Sequence, residues 1–194
     1  MSEPDQNRIT ELLNGMNEGD DRAWEELVQL IDRVLRRMAR SIIRKGKPDP
    51  LIQTTQMVDD AYLKLVDRKH QNWKNRKHFY CTASLAMRRI WVGIARKNKA
   101  LKRGGDREQV PMEEWMLTFE IEFTDLCDLS AVIDKIHEMD HSWGQIVDLR
   151  FFGGFTMEEI AEILNISLDS VEYKWDVARA WLRRELKDYD QHDS

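Results

Sequence analysis

Two short helical patterns joined by a tight turn occupy Asp148 to Leu182, DLRFFGGFTMEEIAEILNISLDSVEYKWDVARAWL, and they restrict the fold more than any other stretch of this 194-residue chain. Thr156 stands directly before Met157 with Glu159 three residues on, the pattern of a capping box, just past the flexible pair Gly153 and Gly154. Ile160, Ala161 and Leu164 supply the buried stripe of the first helix. Asn165, Ile166 and Ser167 make the turn, with Ile166 as an apolar plug between the helices and Ser167 as N-cap of the next one. Val171, Trp175, Ala178 and Leu182 then recur at helical spacing, in a narrow arc facing the first helix. The opposite arc turns Asp169, Tyr173, Asp176 and Val177 outward. This order of cap, turn, plug and cap is the grammar of a helix-turn-helix.

Charge limits what such a module does alone. From Trp143 onward acids outnumber bases, whereas a phosphate-binding surface runs the other way. The module is therefore a poor non-specific DNA binder, and something else must bring it to DNA. With 42% hydrophobic and 34% charged residues, the chain has material for two small domains. Prolines and glycines are few, and no run of alternating β-branched residues extends beyond a few positions, so the fold class is all-α.

No window approaches the roughly 18 uninterrupted apolar residues of a membrane helix. The N-terminus MSEPDQNRIT lacks the apolar core of a signal peptide, so the cytoplasm is the expected compartment, with no membrane partner. Cys81 and Cys127 stand in unrelated segments without paired spacing and read as reduced, buried thiols. His137 and His141 are four apart on a helical stretch, but no third ligand is near, and they read as surface residues. No metal, cofactor or catalytic residue is expected, because no Ser, His and Asp grouping, phosphate-binding glycine loop or metal cluster occurs.

The net charge of -5 conceals a segregation. From Lys64 to Arg103 a long series of lysines and arginines is opposed by a single acid, Asp67. From Asp106 to Asp140 the balance reverses, as an acidic linker between two helical domains would have it, with Gly104 and Gly105 marking its start. On a helix from about His78 to Arg103, Phe79, Ala83, Met87, Ile90, Ile94 and Leu101 form a core face. Arg88, Arg89, Arg96, Lys99 and Arg103 cluster opposite, around Val92, a one-signed face whose self-repulsion an anion would relieve. Trp91 flanks it, either as a platform for an unpaired base or as a core residue.

Upstream, a helix from Thr54 to Asp67 buries Met57, Val58, Ala61, Tyr62, Leu65 and Val66, and turns Gln56, Asp60 and Leu63 outward with Asp59 at the edge. An outward leucine amid acids suggests a protein-binding face. Helices from about Arg8 to Gly15 and from Asp21 to Lys45 complete the bundle, the second burying Trp24, Leu27, Val28, Ile31, Leu35, Met38 and Ile42.

Basic bundle, acidic linker and helix-turn-helix, in that order, resemble the extracytoplasmic-function (ECF) subfamily of sigma-70-type sigma factors, the two-domain initiation subunits of bacterial RNA polymerase. TELLNGMNEGDDRAWEELVQLI resembles the opening helices of sigma domain 2, and QTTQMVDDAYLKLVD is similar to the helix that grips the polymerase clamp. NWKNRKHFYCTASLAMRRIWVGIARKNKALKRGG resembles the segment that melts the promoter and reads its minus-10 element, and VDLRFFGGFTMEEIAEILNIS with DVARAWLRREL resembles domain 4. The resemblance implies domain 2 over residues 1–103, a linker over 104–127 and domain 4 over 128–194.

It also implies roles. Asp59, Asp60 and Leu63 face core polymerase; Arg88, Arg89, Trp91, Arg96, Lys97 and Asn98 handle the minus-10 element; Ser170, Glu172, Tyr173 and Lys174 approach the minus-35 element. Core polymerase and promoter DNA are the implied partners, and an anti-sigma factor is a further one that the family admits. Polymerase would tether the acidic reader to DNA, so that little intrinsic affinity is needed. The chain departs from the pattern at Glu172 and Asp176, where basic residues are usual, and at Gly93 and Ile94, where an acid and a histidine are common. Glu172 either accepts a hydrogen bond from a cytosine amino group or weakens phosphate contact. The rival is a sigma-like interaction module that sequesters a partner without reading DNA.

Overall fold

The computed structural model describes residues 3–17, 21–45, 54–66, 74–101 and 126–192. Among them are eight α-helices and no strand: α1 Glu3–Asn17, α2 Asp21–Lys45, α3 Thr54–Val66, α4 Arg76–Leu101, α5 Leu126–Met139, α6 His141–Phe151, α7 Met157–Leu164 and α8 Leu168–His192. The acidic linker lies almost wholly outside the described residues, as do the side chains of Trp24, Lys97 and Asn98.

Apolar spacing builds the N-terminal bundle. In α2, Leu27, Ile31, Leu35, Met38 and Ile42 are all at most 4% exposed, one stripe along about four turns. Ile9, Leu12 and Leu13 of α1 pack against α2, and Met57, Val58, Ala61 and Leu65 of α3 close the other side. Asn75 starts α4 two residues earlier than the sequence pattern suggests, because its Oδ1 accepts the His78 amide at 2.9 Å.

The C-terminal helices have their own joints. Asp140 caps α6 by accepting from the amides of Ser142 at 2.8 Å and Trp143 at 3.2 Å, and the Ser142 hydroxyl foremost, with these two amides, holds its carboxyl below the usual range. A Cβ on Gly144 would meet the His137 ring at 2.4 Å, so this glycine sets how closely α5 and α6 approach.

Gly153 and Gly154 are not the flexible pair that the sequence suggests. A Cβ at Gly153 would lie 2.4 Å from the Leu149 carbonyl oxygen. Gly154 has φ 67°, and a Cβ there would lie 2.6 Å from Ser41 Oγ of α2. Both positions demand glycine for steric reasons.

The two sets of helices share one core. α4 packs against α5, α6 and α7, and the buried apolar residues form a cluster that continues from Ile9 to Leu186. Tyr80 of α4 and Phe155, just before α7, meet edge to face at 5.3 Å between ring centres.

Candidate nucleic-acid interface

The helix-turn-helix assembles as its sequence dictates. Thr156 Oγ1 accepts the Glu159 amide at 3.2 Å, while Glu159 Oε2 accepts the Thr156 amide at 2.9 Å, a reciprocal capping box. Asn165 ends α7 with φ 56°, a left-handed conformation that asparagine tolerates. Ser167 caps α8, its Oγ accepting the Ser170 amide at 3.2 Å. Val171, Trp175, Ala178 and Leu182 are buried against the rest of the domain, with Trp175 and Phe151 ring centres 6.1 Å apart. Ile166 differs from its expected role as a plug: it is 36% exposed. Its amide donates to the Ala161 carbonyl at 3.1 Å, and the left-handed residue before it leaves its side chain outside the helix pair.

The outer arc of α8 is open. Tyr173 is 70% exposed, Asp169, Glu172 and Asp176 are exposed, and Ser170 is half-buried with its Oγ 2.8 Å from Ser167 Oγ. Lys174 is held back, its Nζ donating to Ser142 Oγ at 2.8 Å. That hydroxyl in turn donates to the Asp140 cap at 2.6 Å, so the lysine joins α8 to the start of α6. On α3, Leu63 is 63% exposed, with exposed Asp59 and half-buried Asp60 on the same outward side.

On α4 the sequence-based wheel and the structure part company. Arg89 and Arg96 are exposed as expected, but Arg88, placed by the wheel on the same solvated face, is only 2% exposed. Its Nη1 donates to the Ser130 carbonyl at 3.0 Å, its Nη2 to Asp134 Oδ1 at 2.8 Å, and its Nε lies 3.0 Å from Asp148 Oδ1. The Nε contact lies off the N–H axis, so charge rather than a directed bond joins it to Asp148. Asp148 is itself 2% exposed, and its other oxygen lies 2.9 Å from His137 Nε2. His137 is therefore tied inward rather than standing at the surface. Trp91 and Val92 are buried as well, Trp91 within the shared core. For Arg88 the physical reason is that α5 and α6 lie against α4 and bring Ser130, Asp134 and Asp148 to it.

A second contact joins the halves. Arg37 of α2 grips Glu159 with two bonds of 2.8 and 2.6 Å, donates to the Gly154 carbonyl at 3.3 Å and lies 5.2 Å from the centre of the Phe155 ring. Burial pushes the Glu159 carboxyl up, but the Arg37 bonds, the Thr156 amide and the Arg37 charge outweigh it and bring it down to about 2. Arg76 adds a bond to the Glu162 carbonyl at 3.1 Å. Cys81 is a free thiol whose burial pushes it up to about 12, an inert side chain at neutral pH.

Sequence reasoning missed Asp134, Asp148, Arg37 and Glu159 as partners across the halves. One signal was present: Asp148 sits inside the apolar run Ile146 to Phe152, where a charged residue implies a buried counter-charge.

No curated protein sequence matches the chain. A family model described as ECF sigma factor matches residues 6–188, from the first helix to the last. Among the described residues no helix is long and apolar enough to cross a membrane. With an all-helical fold among the described residues and a capped helix-turn-helix, and with that match over most of its length, the chain belongs to the ECF sigma factor family, regulatory initiation subunits that bind core RNA polymerase and direct it to promoters.

Proposed function

We propose that the three faces divide the work of initiation between them. Residues 1–103 act as the core-binding and minus-10 domain, 104–127 as the acidic linker and 128–194 as the minus-35 domain. Leu63 enters an apolar recess on polymerase with Asp59 and Asp60 pairing cations at its rim, an apolar anchor within a polar ring. Arg89, Arg96, Lys97 and Asn98 hold the backbone of the minus-10 strand, with Arg88 and Trp91 joining them where α4 is uncovered. Ser170, Glu172, Tyr173 and Lys174 meet base edges and phosphates in the major groove at minus-35. The work is cytoplasmic, where polymerase and promoter are. An anti-sigma factor would act by covering the Leu63 face in place of polymerase.

The observation that carries this reading is the open outer arc of α8 above a fully packed inner arc, a fixed helix with one side free. Binding of promoter fragments to the reconstituted holoenzyme tests it. Tyr173→Ala is expected to weaken discrimination at minus-35 bases while leaving minus-10 preference unchanged, and Arg89→Ala with Arg96→Ala to do the reverse. Equal losses at both elements from either variant would contradict the division. Leu63→Ala is expected to weaken holoenzyme formation before any DNA is added.

A further inference from the structure

His137 stands in the last turn of α5 and His141 opens α6, so their four-residue spacing crosses the Asp140 joint instead of running along one helix. Their Nδ1 atoms lie 3.4 Å apart and their ring centres 5.3 Å. The far nitrogens are both engaged. His137 Nε2 lies 2.9 Å from Asp148 Oδ2; an ionised carboxylate only accepts, so Nε2 carries the proton and the lone pair of the neutral ring sits on Nδ1. His141 Nε2 lies 3.2 Å from the Gln145 amide, whose oxygen and nitrogen exchange places on a half-turn, so the amide oxygen can take the Nε2 proton's bond and leave Nδ1 with its lone pair. The backbone of Gly144 sits close under the His137 ring, where a Cβ would be 2.4 Å away. The pair is reachable from water, with His141 exposed and the His137 side chain 20% exposed.

A neutral imidazole fixed by a carboxylate at its far nitrogen is the usual presentation of a metal ligand. The separations suit one ion. At the usual Zn–N length two nitrogens across a tetrahedral angle lie about 3.3 Å apart, against about 2.9 Å for neighbouring ligands in a square plane. With each ring centre about 1.15 Å behind its nitrogen, the tetrahedral angle sets the centres about 5.2 Å apart. The observed 3.4 and 5.3 Å follow the tetrahedral case.

We propose that His137 Nδ1 and His141 Nδ1 form a site for a tetrahedral divalent cation, Zn2+ foremost, which clips α5 to α6 across the Asp140 joint. Among the described residues no group of three or more His, Cys, Asp and Glu gathers around a metal position, so water fills the remaining positions. Asp148 serves the site only through His137, its Oδ1 staying with Arg88 at 3.0 Å. An ion held by one ligand from each helix binds the folded form alone, so it stabilises the C-terminal helices in proportion to its concentration. The site is independent of how α4 and α8 divide the promoter.

The test titrates Zn2+ into the full chain, stripped with a chelator, by isothermal calorimetry, and reads coordination from the visible absorption of Co2+. Wild type is expected to take one zinc per chain, to give the intense bands of tetrahedral cobalt and to melt at a higher temperature as zinc is added. His141 is exposed, so His141→Ala should fold as wild type does, with circular dichroism as the check. Gln145→Ala is expected to weaken zinc binding about tenfold, the lower end of the loss when an outer partner is removed, and His141→Ala to weaken it further and abolish the cobalt bands. His70→Ala with His192→Ala, outside the pair, is expected to leave both readings unchanged. Equal zinc affinity in wild type and His141→Ala would overturn the proposal. So would pale, octahedral cobalt spectra in the wild type, or a zinc-induced rise in melting temperature that survives in His141→Ala.

Discussion

The outer arc of α8 and the basic face of α4 are both surfaces that a helical wheel marks as solvent-facing, and the first is open at Asp169, Glu172, Tyr173 and Asp176 while the second is partly covered. On α8 most of what decides exposure lies within the helix-turn-helix itself, a few turns away in sequence, Lys174 with its bond to Ser142 being the exception. On α4 they come from elsewhere: Asp134 lies 46 residues from Arg88, and it reaches the arginine only because α5 and α6 settle on α4. A wheel reports which side of a helix is polar. It does not report whether another polar surface covers that side.

Four perturbations break or sharpen this contrast. The largest removes what keeps α8 in place: Trp175→Ala should cost about 3–5 kcal/mol by emptying a packed aromatic site, measured by denaturant unfolding. A cost near that of a surface change would mean that the inner arc is not what fixes α8.

Next comes the covering side. Gly144→Ala drives a methyl into the His137 ring and should destabilise the C-terminal helices by about 1–3 kcal/mol through overpacking. Because His137 holds Asp148, hydrogen exchange along α4 around Arg88 should quicken in the same variant, while α8 exchange changes less near Tyr173.

Acid addresses the second contact. The Glu159 carboxyl is held at about 2, below its ordinary 4.5, so its stabilising contribution is complete above about pH 4.5 and is lost as pH falls through about 2. Arg37→Ala should remove most of this dependence, and melting temperatures between pH 5 and pH 2 should then fall less steeply than in the wild type. The same slope in both proteins would show that the Arg37 contact contributes nothing to stability.

The smallest effect lies beyond the covered part of α4. Gly93 is exposed with open space around its Cβ position, so Gly93→Ala should stabilise the chain by about 0.5–1 kcal/mol through helix propensity alone, seen as a raised melting temperature. Destabilisation there would reveal a neighbour that the glycine accommodates.

How far the chain could be read from its residues follows the same division. The capping box at Thr156 and Glu159, the Ser167 cap and the stripe from Val171 to Leu182 were legible because helix caps and amphipathic spacing are local rules. So was the outward Leu63 of α3. Ile166 was misread because the turn geometry at Asn165, not hydrophobicity, sets where its side chain goes. Gly153 and Gly154 read as flexible, but their need for glycine comes from Leu149, Phe155 and Ser41, the last on α2. The burial of Arg88 was out of reach for the same reason, since its partners come from α5 and α6, whereas the residues left Trp91 open between base platform and core, and it is core. Asp148 alone hinted at it.

Run-off transcription by bacterial core polymerase, with and without this protein on a library of promoter-like fragments, tests the division of the promoter between α4 and α8 most directly. Start sites that appear only with the protein, preceded by two fixed sequence elements of which the upstream one changes in Tyr173→Ala, are the predicted result. Initiation that is absent despite stable binding to core polymerase would contradict it and leave a chain that sequesters its partner.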